Sequence, residues 1–423
     1  MNRQPRGRHL IAADRGFATG GGLAARLFGG SFQRILDRVD SGLREGGIDA
    51  TLPDGSRRFL GGRAPGPVPV VRLHSWRALI RLMTSGSVGW YKAWALGEWS
   101  SPDPVPLFDL FMRNGESLGD TGRAKGLFRL VNSIGHAFRG NDKNGSRKNI
   151  SYHYDLGNDF YAAWLDPGMT YSSAIFAEPI SPGEPLEQAQ ARKLHLLLDR
   201  LDLKPGQRLL DVGCGWGSLA MAAARDYGVH VTGLTLSGEQ KDHAERRLAQ
   251  AGLAGSTLIE LRDYRDVTGT YDAVASVEMV EAVGQEYWPS YLRSIARALK
   301  PGGRAGIQLI SIRDTLFESY AANADFIQTY IFPGGLLIGE ERFRRIAGQE
   351  GLEWRDRKGY GPHYAETLRR WRAHYDEAVE QDRFPAGFDQ AFHDLWRYYL
   401  MYCEGGFRGG GIDVAQVTLV KRA

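Results

Sequence analysis

The chain has only two cysteines, Cys214 and Cys403, in 423 residues. That is too few for a disulfide framework, so a reducing, cytoplasmic setting is the expectation. Also missing is any apolar run near the ~20 residues that a membrane-spanning helix needs. At the N-terminus, Leu10-Ile11-Ala12-Ala13 is too short for a secretory h-region, and Asp14 ends it. Contact with lipid is therefore expected to be peripheral, at the inner face of the cell membrane. Neither sign of charge dominates, the formal net charge being +4. The basic residues come with no recognition module, so nucleic acid is excluded as a partner. No internal repeat is evident and no metal site is expected. What the chain does have is an ordinary globular composition, 43% hydrophobic and 24% charged, which argues against wholesale disorder.

Residues 1–25 are polar and glycine-rich and are expected to lack order. Helical spacing begins at 32–43, with Ile35, Leu36, Val39 and Leu43 on one face. Asp54-Gly55 between alternating segments signals a hairpin. Val68 to Leu73 reads as an edge strand, because Pro69 inside it would remove a ladder donor. Two helices are expected at 76–84 and 88–96, separated by Ser85-Gly86. Together these make a small α+β unit over 26–119. Residues 120–148 then form a basic linker, in which Arg123, Lys125, Arg129, Arg139, Lys143, Arg147 and Lys148 are interleaved with Leu127, Phe128, Leu130, Val131, Ile134 and Phe138. Cations and apolar side chains on one helix suit an anionic membrane surface, and they equally suit a solvated linker packed on a neighbouring domain.

From 149 to 423 strands and helices alternate. Strands are expected at 208–212, 230–234, 258–261, 271–277 and 306–312, with helices at 218–225 and 237–250. This is the pattern of a mostly parallel sheet covered on both faces. Leu209-Leu210-Asp211-Val212-Gly213-Cys214-Gly215-Trp216-Gly217 places a glycine turn directly between a strand and a helix. Its G-x-G-x-G spacing differs from the dinucleotide G-x-G-x-x-G, and Asp211 offers a carboxylate at the strand end. The combination suits the amino-acid moiety of S-adenosylmethionine (SAM) better than a pyrophosphate. Gly213, Gly215 and Gly217 would let the ligand approach the backbone, and Cys214 is a small filler against the sheet. No acid follows the next strand to meet ribose hydroxyls, so Thr235 and Gln240 are the candidates there. Asp263, Tyr264 and Arg265 could frame an adenine, Tyr264 by stacking and Asp263 by accepting from the exocyclic amine.

Asn149-Ile150-Ser151-Tyr152-His153-Tyr154-Asp155-Leu156-Gly157-Asn158-Asp159-Phe160-Tyr161 resembles the opening signature of the cyclopropane-fatty-acid and mycolic-acid cyclopropane synthases. Thr170-Tyr171-Ser172, Gly233 to Gln240, Tyr330-Ile331-Phe332-Pro333-Gly334-Gly335 and Tyr402-Cys403-Glu404-Gly405-Gly406-Phe407 resemble further motifs of that family. The resemblance spans roughly 147–420 and implies an α/β, Rossmann-like SAM-dependent methyltransferase domain. Tyr154, Tyr171 and Ser172 join its SAM-binding set. The N-terminal unit resembles, more loosely, the lipid-binding domain of the phospholipid-acting members, in Gly86-Ser87-Val88-Gly89-Trp90 and Gly97-Glu98-Trp99. The implied reaction is transfer of a methyl or methylene group to the double bond of an unsaturated phospholipid acyl chain. A phospholipid surface is the expected partner, and a homodimer is left open.

Alkylating an olefin creates a carbocation, which calls for a dry, aromatic-lined cavity. Tyr152, Tyr154, Phe160, Tyr161, Phe176 and Tyr364 are candidates for it, each of which could equally be plain core. The resemblance further implies a bound bicarbonate that removes a proton so that the ring closes. It assigns that site to Glu281, Tyr364 and the backbone of Ile310, with Glu278 a rival for any role given to Glu281. Two positions depart from the pattern: Ser173 stands where many members have cysteine and Gln308 where they have histidine. Both can still donate to an anion, but the lost histidine puts ring closure in question. The expected product is a cyclopropane, with a methyl- or methylene-branched chain as the alternative, and a catalytically inactive lipid- or SAM-binding protein behind both. Cys403 is a candidate nucleophile by its motif, with a structural role set against it.

Overall fold

A computed structural model describes residues 6–12, 32–119, 156–323 and 325–422. The basic segment 120–148, Tyr152 and Tyr154 lie outside the described residues. The chain forms two compact units, each assembled from separated segments. The first takes residues 1–140, 313–333 and 386–412; the second takes 141–312, 334–385 and 413–423. The catalytic stretch expected as one piece from 149 onward thus lends two segments to the N-terminal unit.

In the first unit the terminus expected to lack order carries a short helix, α1 (Arg8–Ile11), with Leu10 buried. Arg6 anchors it, through its N–H to the Gly387 carbonyl at 2.9 Å and its guanidinium over the Phe388 ring. Helix α2 (Phe32–Gly42) precedes the hairpin β1 (Gly47–Thr51) and β2 (Arg57–Gly61). At its turn Gly55 has positive φ and Asp54 accepts from the Ser56 N–H. Strand β3 (Val70–Leu73) is not an edge: the sheet order is β2-β1-β3-β4, with β4 at Trp99–Ser100. The strand begins one residue after Pro69, so the proline removes no ladder donor, and its carbonyl accepts from Asp49 N–H. The two helices expected around Ser85-Gly86 are found there, meeting at a kink where Gly86 leaves the helical backbone with φ at 56°; they are labelled together as α3 (Arg77–Ala95). The residues of the looser N-terminal resemblance fasten β4 to α3. Trp90 and Trp99 stack at 4.5 Å, Trp99 Nε1 donates to the Trp90 carbonyl, and Arg81 pairs with Glu98.

Helices α4 (Val105–Arg113) and α5 (Gly115–Leu118) follow. The two late segments join through aromatic packing: Tyr91 lies 5.0, 4.7 and 4.9 Å from the rings of Phe326, Tyr330 and Tyr398. The helix Gln390–Arg408 crosses α4 closely at Gly405, where a Cβ would stand 2.8 Å from the Val105 carbonyl oxygen. That part of the Tyr402–Phe407 motif is a packing requirement.

The second unit opens with α6 (Asn158–Ala162) and α7 (Leu186–Asp199). An alternating series follows: β5 (Arg208–Val212), α8 (Ser218–Tyr227), β6 (His230–Thr235), α9 (Gly238–Gln250), β7 (Thr257–Leu261) and β8 (Tyr271–Val277). It continues with α10 (Trp288–Ala298), β9 (Leu299–Ile312), β10 (Ile338–Gly339), α11 (Glu340–Gln349), β11 (Leu352–Gly359), α12 (Gly361–Glu380) and β12 (Ile412–Lys421). The strand order is β11-β12-β9-β8-β5-β6-β7, with β10 added beside β9. Pairings among β5 to β9 are parallel and β11–β12 is antiparallel. Leu197, Leu198 and Leu201 pack with Leu219, Ala223, Val231 and Ala275 as a core that fixes β5 between its helices. The chain leaves β5 toward β6 and returns on its other side with β8. A crevice therefore opens at the carboxyl ends of β5 and β8, the place where open α/β sheets bind ligands. No helix among the described residues is long and apolar enough to cross a membrane.

Candidate active site

The glycine loop lies at this switch point. Gly213, at φ 85°, is where no side chain fits: a Cβ would approach Met279 Cγ to 2.9 Å. The close approach joins the loop after β5 to the segment after β8. Asp211, at the end of β5, is 1% exposed, and its Oδ2 has no hydrogen-bond partner. Burial pushes its pKa up to about 7. A buried carboxylate without a protein partner beside a glycine loop calls for a cationic ligand group, and the α-ammonium of SAM fits.

Thr235 and Gln240 are both buried, and each engages the other. The Thr235 hydroxyl donates to Gln240 Oε1 at 2.8 Å and accepts from the Ser237 N–H. Thr235 therefore orients the Gln240 amide, which leaves Gln240 the better placed of the two for ribose. Asp263 accepts from Arg265 on both oxygens, at 2.8 and 2.7 Å, so much of its capacity for an adenine amine is already engaged. Tyr264 meets Tyr291 edge-on at 5.6 Å and carries Arg265 over its ring.

An aromatic series runs away from the loop. Trp216 lies 5.2 Å from Tyr161, Tyr161 5.4 Å from Tyr171, Tyr171 5.4 Å from Trp371, and Trp371 6.1 Å from Tyr364. Such faces stabilise a nearby cation without offering it a nucleophile.

The residues assigned to an anion come together, but around a side chain. Ser173 N–H donates to Glu278 Oε1 at 2.8 Å, Gln308 Nε2 donates to the same oxygen at 2.8 Å, and Tyr364 OH donates to Oε2 at 2.7 Å. The Ser173 hydroxyl, expected to donate to an anion, instead donates to the Ala174 carbonyl. Gln308 is held in orientation by Gln416, whose Nε2 donates to its Oε1 at 3.1 Å and to the Lys193 carbonyl at 3.0 Å. Glu281 sits apart: the Ile310 N–H donates to its Oε1, and its Oε2 is buried with no partner. Burial first, then the neighbouring Glu278, push its pKa up to about 8. Its carboxyl is thereby shifted toward the protonated form.

Lys193 is fully buried and donates to Ser172 Oγ at 2.6 Å. Burial lowers its pKa to about 8, against the pull of Glu278 and Asp166. Ser172 is thereby engaged from within the protein. Lys193 and Gln416 went unnoticed in the sequence, although a signal existed. Leu186, Ala189, Gln190, Lys193, Leu194, Leu197 and Leu198 form the buried stripe of α7, and two of those seven are polar. Cys403 belongs to the first unit. Burial and the nearby Asp325 carboxylate push its thiol up, the reverse of what a nucleophilic thiolate needs.

The switch-point crevice, the glycine loop and the unpartnered Asp211 define a SAM-dependent methyltransferase. More narrowly, the chain belongs to the mycolic acid cyclopropane synthetase family, whose model matches residues 141–417. It is 38% identical over 367 residues to the tuberculostearic acid methyltransferase of Mycobacterium tuberculosis, covering 85% of each chain. It is 32% identical over 368 residues to the cyclopropane-fatty-acyl-phospholipid synthase of Escherichia coli K12, covering 85% of this chain and 89% of that one. Among solved structures it resembles mycolic acid cyclopropane synthase complexed with SAH and CTAB. The TM-score there is 0.60 with 32% identity, over 65% of this chain and 98% of that one.

Proposed function

We propose that the protein transfers a methyl group from SAM to the double bond of an unsaturated acyl chain in a membrane phospholipid. The observation that carries this reading is the aromatic series from Trp216 to Tyr364, which begins at the glycine loop and ends on the Glu278 carboxylate. Bound SAM supplies an electrophilic methyl on a sulfonium. The chain's own residues do the rest: Asp211 and Gln240 hold the donor, the aromatic faces exclude water and shelter the cation formed on the acyl chain, and a carboxylate waits for a proton.

A phospholipid substrate is supported by the likeness to the Escherichia coli enzyme, which at 85% of this chain must extend into the N-terminal unit. It is supported too by the outward face of the four-stranded sheet. Phe59 and Val70 flank Asp49 in register there and are 55% and 39% exposed, with exposed Arg57 and Arg72 beside them. Two exposed apolar side chains with arginines beside them, Arg57 paired with the intervening Asp49 at 2.7 Å, suit peripheral contact with a lipid surface. Ring closure gives a cyclopropane. A methyl- or methylene-branched chain is the second reading, favoured by the engagement of Ser173 and Gln308 within the protein and by the relative named a tuberculostearic acid methyltransferase.

Mass spectrometry of phospholipids from cells expressing the protein tests the proposal. A gain of one CH2 on unsaturated acyl chains is expected, and NMR then separates ring protons from vinylic or methyl-branch protons. Lipids with no such gain would overturn it.

A further inference from the structure

We infer that Glu278 is a built-in carboxylate standing where the family resemblance calls for bicarbonate, and that it takes the proton released after methyl transfer. The inference rests on the olefin-alkylation reading above. Bicarbonate and a carboxylate share one recognition geometry: a planar carbon, two oxygens and a single negative charge. Of the groups that the resemblance assigns to the ion, the Gln308 amide and the Tyr364 hydroxyl donate to Glu278, joined by the backbone N–H of Ser173, while the Ile310 N–H turns to Glu281. Gln308 cannot readily turn its amide elsewhere, because Gln416 holds its oxygen. With its donors engaged by a side chain of the same shape and charge, the site does not fit a bicarbonate ion.

Two further features place this carboxylate on purpose. Glu278 holds φ at 48°, a strained region for a residue with a long side chain, and its N–H is fixed to the Gln308 carbonyl at 2.8 Å. The next residue, Met279, is the one against which Gly213 closes, so the backbone that carries Glu278 adjoins the donor loop. Desolvation raises the pKa of Glu278, as a proton acceptor needs, and the charge of Lys193 opposes that rise.

The step balances without a co-reactant. The olefin's π electrons form the new C–C bond as the S–CH3 bond breaks, leaving SAH and a carbocation. One proton passes from carbon to a Glu278 oxygen, and the freed C–H pair closes a ring or forms a double bond. The carboxylic acid then returns its proton to solvent.

The test uses the full chain with SAM and vesicles of unsaturated phosphatidylglycerol, in CO2-depleted buffer with and without added bicarbonate. Equal turnover in the two buffers is expected. Turnover that collapses on depletion and returns with bicarbonate would overturn the inference while leaving the methyltransferase reading intact. No product in either buffer would sink the function itself, and this inference with it. Glu278→Gln should lower turnover by about 10²-fold or more, with SAM affinity by calorimetry held within a few-fold as the check on folding. Glu278→Gly, which suits the positive φ, should be equally impaired and should regain turnover with formate or bicarbonate. A Gly variant that binds SAM but is not rescued, beside a Gln variant of ordinary activity, would assign Glu278 a structural role only.

Discussion

Replacing Asp211 with asparagine should stabilise the ligand-free protein and ruin its SAM affinity. The folded-state pKa of Asp211 is raised from 3.8 to about 7 by burial. A carboxyl shifted in this direction favours folding in its neutral form. Its cost is absent below pH 4, grows as the unfolded chain ionises, and is complete above pH 7. At 1.36 kcal/mol per unit, the full penalty is about 4 kcal/mol. Asparagine avoids that charge but buries an amide beside the loop, which returns about 1–3 kcal/mol. The net gain at pH 8 is then roughly 1–3 kcal/mol, or several degrees in Tm, and below pH 4, where the charge penalty is gone, the amide's cost should leave the variant less stable by about 1–3 kcal/mol.

Binding should move the other way. SAM brings an ammonium that pairs with the ionised form, so at acidic pH each binding event must release the Asp211 proton. The Kd for SAM should rise about tenfold per pH unit below 7 in the wild type, and stay weak and flat in Asp211→Asn. Calorimetry at pH 6 in two buffers of different ionisation enthalpy should register close to one proton released per SAM. A variant less stable than wild type at pH 8, with unaltered SAM affinity, would refute the reasoning on both arms.

Two other outcomes follow from the same site. Lys193→Met removes the cation that opposes the upward shift of Glu278, so the acidic limb of the rate–pH profile should move up by about a unit or more; an unmoved limb would separate Lys193 from Glu278. Gly213→Ala places a Cβ 2.9 Å from Met279 at φ 85° and should weaken SAM binding more than tenfold, for a strain of about 1–3 kcal/mol. Gly238→Ala, whose Cβ would meet nothing within 4 Å, is the control, and equal affinities in the two variants would count against the close approach.

The parts of the fold that local chemistry determines were legible in the sequence. The strand carrying Asp211, the glycine turn and the hairpin at Asp54-Gly55 each rest on neighbouring residues, and each is found where expected. Pro69 misled because a proline within an apolar run reads as an edge, whereas the strand starts at Val70. The disposition of the anion site was not legible, for a different reason. Residues 173, 278, 308 and 364 come from four separate segments, and only the order β9-β8-β5 brings them to one point. Sequence could name Glu278 as a rival to Glu281, but the choice between them is made by long-range hydrogen bonds.

That choice also explains the places where the chain breaks the rules of its own fold. A buried lysine sits in the apolar stripe of α7, a glutamate holds a left-handed backbone, and an aspartate is buried with one oxygen unpaired. Each lowers stability, and all three are found in the second unit, at or facing the segments that follow β5 and β8. Their environments push the groups toward separate tasks: Asp211 toward a cation it lacks, Glu281 toward staying protonated, and Glu278, with Lys193 beside it, toward accepting a proton. Stability alone would have replaced any of them with an apolar residue. Their coexistence at a ligand-binding switch point is what a fold looks like when it keeps charge in place for a substrate that brings its own.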